Sequence, residues 1–269
     1  MSQIPVLESH LRSLGRTLLG YSGGVDSAVL AVAGRRALGR VDFQAVIGRS
    51  DSYPEVQYRQ AREIAARFDI PLLEAVTGEM EDPRYLANPV NRCYFCKTEL
   101  WTVLNRLAAA RGFDAVIDGT NADDLGEHRP GLAAAAERGI RSPLAELGWS
   151  KAMVREAARQ LGLPNAEAPA APCLSSRVRY GVGITPERLR QVEEGEAFLR
   201  SLGLTGNLRV RHLGDRARIE ADPGELARLE AVWPAVEERF LGLGFAGAEL
   251  DRRGYRRGSM LTVLSPDAG

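Results

Sequence analysis

Apolar positions over the first 160 residues alternate between two rhythms. Residues 5–16 repeat with helical spacing, and Thr17, Leu18 and Leu19 form a short apolar strand running into the glycines of Ser22-Gly23-Gly24. Helical spacing resumes at Asp26 and continues to Gly39, with Ala28, Val29, Val32 and Ala33 on one side. Apolar runs at 43–47, 71–76 and 115–117 predict three more buried strands. Residues 53–68 and 96–112 predict helices, the second ended by glycine. Regular alternation of strand and helix implies an α/β fold with a parallel, doubly wound sheet, whose ligands sit at the carboxyl ends of its strands.

A helix is predicted over 151–161, after which 164–172 is rich in Pro and Ala and reads as a flexible connection. The order of elements then changes. Pro186, in the first turn, opens a helix that runs to residue 202, followed by strands at 207–212 and 217–221, a helix over 223–242 and a strand at 246–250. This α-β-β-α-β order predicts a smaller C-terminal α+β domain. The domain boundary is placed near residue 180, giving 1–180 and 181–269, with no internal repeat or low-complexity tract.

With 269 residues, 45% of them hydrophobic, the chain can bury a core in one large domain and one smaller one. Lys plus Arg and Asp plus Glu both total 35, so no global field draws a polyanion and nucleic acid is not expected as a partner. Charges at Glu8, His10, Arg12 and Arg16 interrupt the N-terminal stretch, and no run approaches a membrane span, so the expectation is a cytoplasmic protein with no membrane contact.

The segment Ser22-Gly23-Gly24-Val25-Asp26-Ser27 lies between a strand and a helix. There glycines let backbone N–H groups approach an anion, and the helix N-terminus adds its dipole. No Lys follows the glycines, as a Walker loop would require, and G-x-G-x-x-G is absent. The six residues resemble the S-G-G-x-D-S signature of the PP-loop ATP pyrophosphatases, which cleave ATP between its α and β phosphates and activate a substrate as an adenylate. The resemblance implies that Ser22, Gly23, Gly24, Asp26 and Ser27 hold pyrophosphate, with Asp26 a candidate Mg²⁺ ligand. It places adenine near Gly48, Arg49 and Ser50, and it makes the loop from Gly119 to Asp124 face ATP, with Asp124 a second Mg²⁺ candidate. For Asp123 and Asp124, helix capping or a solvated turn is an equal reading.

All three cysteines fall in two segments read as polar loops, Cys93-Tyr94-Phe95-Cys96 and Cys173-Leu174-Ser175-Ser176-Arg177. Alone, a C-x-x-C is as readily half of a zinc site or a redox pair. Three thiolates are one too few for tetrahedral zinc, and no histidine has ligand spacing with them. Three can hold three irons of a 4Fe–4S cluster and leave the fourth open. Arg209 and Arg211, two apart on one strand, share a face suited to phosphate or carboxylate, although a lone surface arginine more often serves solubility.

Taken together, Ser22–Ser27, Arg129-Pro130-Gly131, Cys173–Arg177 with Tyr180-Gly181, and the tail Gly254-Tyr255-Arg256-Arg257-Gly258 resemble one branch of the PP-loop family. That branch is the pyridinium-3,5-biscarboxylic acid mononucleotide sulfurtransferases, which help make the nickel-pincer nucleotide cofactor of lactate racemase. The resemblance spans nearly the whole chain. It implies an enzyme that uses ATP and Mg²⁺ to adenylate a pyridinium carboxylate and convert it to a thiocarboxylate. Members with three cysteines carry a 4Fe–4S cluster, here on Cys93, Cys96 and Cys173, whereas members with one sacrifice its sulfur. Arg177 and Ser176 share the loop of Cys173, and Arg209, Arg211, Glu220, Arg256 and Glu196 are implied near the anionic nucleotide, Glu196 having an ordinary solvated helix face as its plainer reading. The first domain would then be the ATP pyrophosphatase and the second a substrate-binding or oligomerisation domain of a homo-oligomer. The sequence does not identify the donor of the sulfide. Alternatives are sacrifice of the Cys173 sulfur, tRNA thiolation by the same loop chemistry, and a non-catalytic nucleotide- or zinc-binding module.

Overall fold

The apolar runs of the first 120 residues form β1 (Thr17–Gly20), β2 (Phe43–Arg49), β3 (Leu72–Val76) and β4 (Ala115–Ile117), hydrogen-bonded in the order β3-β2-β1-β4. Every pairing is parallel. The protein is described by a computed structural model at residues 3–126, 130–169, 171–256 and 258–260. It divides into two units, one reaching Asp82 and resuming at Asn91–Ala171, the other comprising Pro83–Val90 and the chain from Pro172 onward.

In the first unit alternate strand residues bury into opposite layers. Leu19, Ala45, Ile47 and Ile117 pack with the helices Ile4–Ser13, Val25–Leu38 and Lys151–Gln160. Leu18, Val46 and Val116 pack with Trp101, Leu104 and Ala108 of the helix Arg92–Arg111. A sheet buried on both faces needs apolar side chains at successive positions, which explains the continuous runs seen in the sequence. β2 and β3 lie to one side of β1 and β4 to the other, so the direction of winding reverses between β1 and β4. In open α/β sheets the ligand crevice forms at such a reversal.

Several boundaries differ from expectation for local reasons. The helix expected over 53–68 spans Glu55–Arg67, because Pro54 takes an extended conformation (φ −60°, ψ 133°) and caps it. The helix expected from residue 96 starts at Arg92, so Cys93 and Cys96 lie within its first five residues and not in a polar loop. No Gly or Pro between Arg92 and Cys96 stops the helix from extending backward, and Gly112 in the left-handed region (φ 68°) ends it. The helix expected over 223–242 breaks into Leu226–Ala231 and Trp233–Gly242. Pro234 lacks an N–H and crowds the carbonyl four residues back. Part of the 164–172 connection is packed: Asn165 and Ala166 are buried, and Arg155 donates to the carbonyls of Ala166 (2.5 Å) and Ala168 (3.0 Å).

In the second unit, β5 (Leu208–His212), β6 (Arg216–Ala221) and β7 (Gly247–Leu250) form a mixed sheet in that order, β5 antiparallel and β7 parallel to β6. Leu208, Val210, Ala217, Ile219 and Ala221 face a core with Leu199, Val236, Phe240 and Phe245. The helix Pro186–Ser201 is capped by Thr185, whose hydroxyl accepts from the Arg188 N–H. Arg209, Arg211 and Glu220 occupy the strand positions between these apolar residues and are nonetheless buried. Among the described residues no helix is long and apolar enough to cross a membrane.

His212 ends β5 inside this unit. One ring nitrogen (Nε2) meets the Gln191 Oε1 at 2.9 Å and the other (Nδ1) accepts from the Gly214 N–H at 3.3 Å, an arrangement that suits the neutral ring. Burial, then the charge of Arg188, pushes its pKa down from 6.5 to about 4. The unfolded chain therefore binds a proton between these values that the fold excludes. Stability from this site is complete above pH 6.5 and lost as pH falls toward 4, on the order of 3 kcal/mol in all. Urea midpoints measured from pH 4 to 7 should fall with acid more steeply for the wild type than for His212→Gln; equal slopes would refute the assignment.

Candidate functional site

The first unit carries the glycine loop at the reversal point, two residues beyond β1. Gly23 has φ +71°, and a Cβ there would lie 2.7 Å from the Ala61 Cβ, so position and conformation both demand glycine. The loop carbonyls are turned into the protein. Ser22 O accepts from the Tyr53 hydroxyl (2.9 Å) and the Gln57 amide (2.7 Å), and Gly23 O accepts from the Asn165 amide (2.9 Å). Burial outweighs the nearby Arg49 in raising the Tyr53 pKa, so its phenol keeps the proton it donates. The Ser22 and Ser27 hydroxyls stand 3.2 Å apart, and Ser27 donates to Gly24 O at 3.0 Å. Gly24 caps the helix Val25–Leu38, whose first-turn N–H groups have no acceptor within the helix and, with the dipole, favour an anion.

Two distant segments meet this loop. A Cβ on Gly119 would approach the Ser27 N to 3.0 Å and the Asp26 Cβ to 3.3 Å, so the loop after β4 lies directly on the start of the helix. Asn121 donates to Asp26 Oδ1 at 3.1 Å, and Lys151 forms an ion pair with Asp26 Oδ2. Asp124 accepts from the Asn121 N–H at 3.1 Å. Asp123 accepts from the Lys151 N–H at 2.8 Å, which caps the helix Lys151–Gln160 together with Ser150. Gly48 and Arg49 end β2. Arg49 stacks over the Tyr58 ring at 3.8 Å, and Ser50 donates to the buried Glu79. Arg49, Ser50, Asp51, Val76, Thr77 and Met80 line a cleft of about 300 Å³. Cys93 is exposed and Cys96 half-buried, three residues apart and so on one face of their helix. Within either unit, among the described residues, no three His, Cys, Asp or Glu side chains are gathered as a metal ion would need.

The second unit gathers most of the remaining candidates. Half-buried Cys173 opens the turn Leu174–Arg177, and Val178 then bridges to His212 at the edge of β5. Buried Arg177 donates to the carbonyl of Cys173 (2.9 Å) and the Ser176 hydroxyl (3.2 Å), and pairs through both forks with Glu196 (3.0 and 3.2 Å). Glu196 also accepts from the Val210 N–H at 3.2 Å, so its helix position is not a solvated face. Arg211 forks onto Glu220 (3.0 and 2.8 Å), donates to Ser176 O (3.3 Å) and meets Ser259 (3.0 Å). Arg209 lies over the Tyr255 ring at 5.3 Å, and burial followed by the charge of Arg177 lowers its pKa. Among the described residues, three buried guanidiniums, buried Glu220 and half-buried Glu196 thus share one cluster. Arg256 is exposed and 3.4 Å from Asp251, and its carbonyl accepts from the Ser259 N–H at 3.3 Å. Arg129 and Arg257 lie outside the described residues.

Sequence reasoning missed Lys151, Gln57 and Asn165 in the first unit, which reach the loop from 30 or more positions away. In the second it missed Tyr85, whose hydroxyl is 2.5 Å from that of Ser175. It also missed Asn88, which donates to the carbonyls of Arg179 (2.8 Å) and Val182 (2.9 Å). Asn88 has φ 52° and precedes Pro89, a dipeptide that signals a turn.

A strand-loop-helix phosphate cradle at the reversal point of a parallel sheet defines a nucleotide-binding α/β protein of the PP-loop type. A model of the NAD synthase family matches residues 6–81. The chain is 42% identical, over 98% of both chains, to an uncharacterized protein of Synechocystis sp.. It is 32% identical to the pyridinium-3,5-bisthiocarboxylic acid mononucleotide synthase of Lactiplantibacillus plantarum, over 96% of this chain and 94% of that one. The cytoplasmic tRNA 2-thiolation protein 1 of Malassezia globosa matches at 31% over 45% of this chain and 36% of its own. The chain belongs to the family of the pyridinium-3,5-bisthiocarboxylic acid mononucleotide synthase.

Removing Glu220 strands the buried Arg211 charge. Glu220→Ala should cost roughly 3–5 kcal/mol in urea unfolding, and adding Arg211→Met should recover much of that loss. A cost below about 1 kcal/mol, the range of an exposed pair, would show that the pair is not desolvated.

Proposed function

We propose that this chain is an ATP-dependent sulfurtransferase. It adenylates a carboxylate of pyridinium-3,5-biscarboxylic acid mononucleotide and replaces the activated oxygen with sulfur for nickel-pincer nucleotide synthesis. The reading is supported by kinship at 32% identity over 96% of the chain and, above all, by one observation within the second unit. There the loop of Cys173 is tied through Ser176 and Arg177 to a cluster of three buried arginines and two glutamates. A thiol beside a cluster of guanidiniums suits sulfur transfer to an anionic nucleotide.

In this reading the substrate carboxylate attacks the α-phosphorus of ATP, and pyrophosphate leaves into the Ser22–Ser27 loop. Its charge is met there by the first-turn N–H groups and the two serine hydroxyls. Gly48, Arg49 and Ser50, at the 300 Å³ cleft, take the adenine side. Asp26 and Asp124 offer the oxygen ligands that Mg²⁺ prefers, and the ion would neutralise charge on the leaving group. Arg209 and Arg211 hold the nucleotide phosphate, Glu220 fixes the fork of Arg211 and Glu196 that of Arg177, and Arg256 reaches it from the terminal loop. Sulfur then takes the place of AMP on the acyl carbon, leaving a thiocarboxylate, and a second round converts the other carboxylate.

Cys93 and Cys96, one helical turn apart, suit two corners of an iron–sulfur cluster, with Cys173 the third ligand. A 4Fe–4S cluster so held supplies an iron with an open position for sulfide. Anaerobically purified protein should contain four irons and four sulfides per cluster, and should release pyrophosphate only when the pyridinium substrate is present. Cys93→Ala should then lose multiple turnover with iron and sulfide supplied. Retained single turnover in Cys93→Ala that vanishes in Cys173→Ala would transfer the role to the Cys173 sulfur. A colourless, zinc-loaded protein with no ATP turnover would overturn the enzyme reading altogether.

A further inference from the structure

Ser50 lines the cleft at the end of β2, and behind it stands a buried acid with no part in the chemistry above. We infer that Glu79 is a positioning residue that makes Ser50 a hydrogen-bond acceptor, so that the cleft takes a base with an exocyclic amino group and refuses one with an oxo group. The inference rests on the proposed ATP chemistry and adds to it the choice of base.

Glu79 opens the turn Glu79–Glu81 soon after β3 and is 3% exposed. The turn is held from outside by Glu99, whose Oε1 accepts from the Gly78 N–H at 3.2 Å. Among the described residues Glu79 pairs with no cation, and its Oε2 has no hydrogen-bond partner. Arg49, which lines the same cleft, turns instead to Glu55 at 3.5 Å and to the Tyr58 ring. Burying a carboxylate on such terms costs stability. What Glu79 does hold is a pair of hydroxyls, both at Oε1: Ser50 donates to it, and Ser52 stands 3.2 Å from it.

A hydroxyl has one hydrogen and two lone pairs. The hydrogen of Ser50 lies on Glu79. Ser52 can offer its own to Glu79 at 3.2 Å or to the Ser50 hydroxyl at 2.9 Å, and the carboxylate is the stronger acceptor, since bonds to a charged group are roughly twice as strong as neutral ones. Ser50 Oγ then accepts the Ser52 N–H, at 3.3 Å, and keeps one lone pair for a ligand. The Ser50 and Arg49 carbonyls already accept from the Tyr53 and Thr77 N–H groups, at 3.1 Å each. Val76 and Met80 add apolar walls that suit a flat ring. An amino group on that ring donates to Ser50, whereas an oxo group sets a second acceptor against it and leaves both unmet.

Binding of Mg·ATP and Mg·ITP, which differ at the 6-position of the base, to wild type, Glu79→Ala and Ser50→Ala tests this, with Mg·2′-deoxy-ATP and thermal unfolding run beside them. Wild type should hold ATP about 10–100-fold more tightly than ITP. In Glu79→Ala the Ser50 hydroxyl is free to turn and donate, so the ratio should fall to about 3-fold or less. Ser50→Ala should lower it as well by weakening ATP, and reads the same ratio should Glu79→Ala fail to fold. Equal loss for ATP and ITP would show a structural role and overturn the inference, as would a wild type that binds the two alike or a ratio unchanged in the folded variants. A change confined to the ratio of ATP to 2′-deoxy-ATP would move the contact to the ribose and overturn it too. A folded wild type that binds neither ATP nor ITP would instead refute the proposed function itself.

Discussion

The glycine-loop site depends on how closely two backbones approach. The loop after β4 lies on the first turn of the helix after β1 with so little clearance that a single methyl group on Gly119 would press on the Ser27 N at 3.0 Å. This contact joins the two sides of the sheet's reversal point. It sets Asn121 against Asp26, and the segment that follows β4 also supplies Asp123, which anchors Lys151. Apolar packing on both faces of the sheet holds the strand ends in place. The chemistry at those ends is then a matter of which polar groups face inward and which outward. Here the Ser22 and Gly23 carbonyls are tied inward by Tyr53, Gln57 and Asn165.

The second unit meets a harsher electrostatic demand. Burying Arg177, Arg209 and Arg211 costs several kcal/mol per ion unless each charge finds partners. Glu196 and Glu220 each answer one fork, and carbonyls of the cysteine loop take further N–H groups. The apolar face of the same sheet contributes the opposite property, a dry core around Phe240 and Phe245 in which even His212 stays neutral well into acid. One sheet thus separates a charged layer from an apolar one by the alternation of its strands.

Much of this was visible in the sequence. The four strands of the parallel sheet follow from runs of apolar residues and the first two of the mixed sheet from alternating ones, and the glycine loop was read as an anion cradle from its residues and its place between strand and helix. The misses share a cause: local pattern cannot report partners far along the chain. Lys151 looked like an ordinary helix start, Asn165 like part of a loose connection, and Glu196 like a solvated helix position until Arg177 and Val210 were seen against it. The start of the cysteine helix was missed differently. C-x-x-C suggests a loop by habit, while Arg92 to Cys96 contains no residue that breaks a helix.

The excursion Pro83–Val90 carries a further meaning. The polypeptide passes between the two units at residues 82 and 83, at 90 and 91, and again at 171 and 172. No single cut releases either unit whole. A truncation after Ala171 would leave Tyr85 and Asn88 behind, stripped of Ser175, Arg179 and Val182. Cys93 is the third residue after the second passage and Cys173 the second residue after the third. Proteolysis, permutation or grafting aimed at separating the halves would thus sever the chain beside its sulfur-bearing residues.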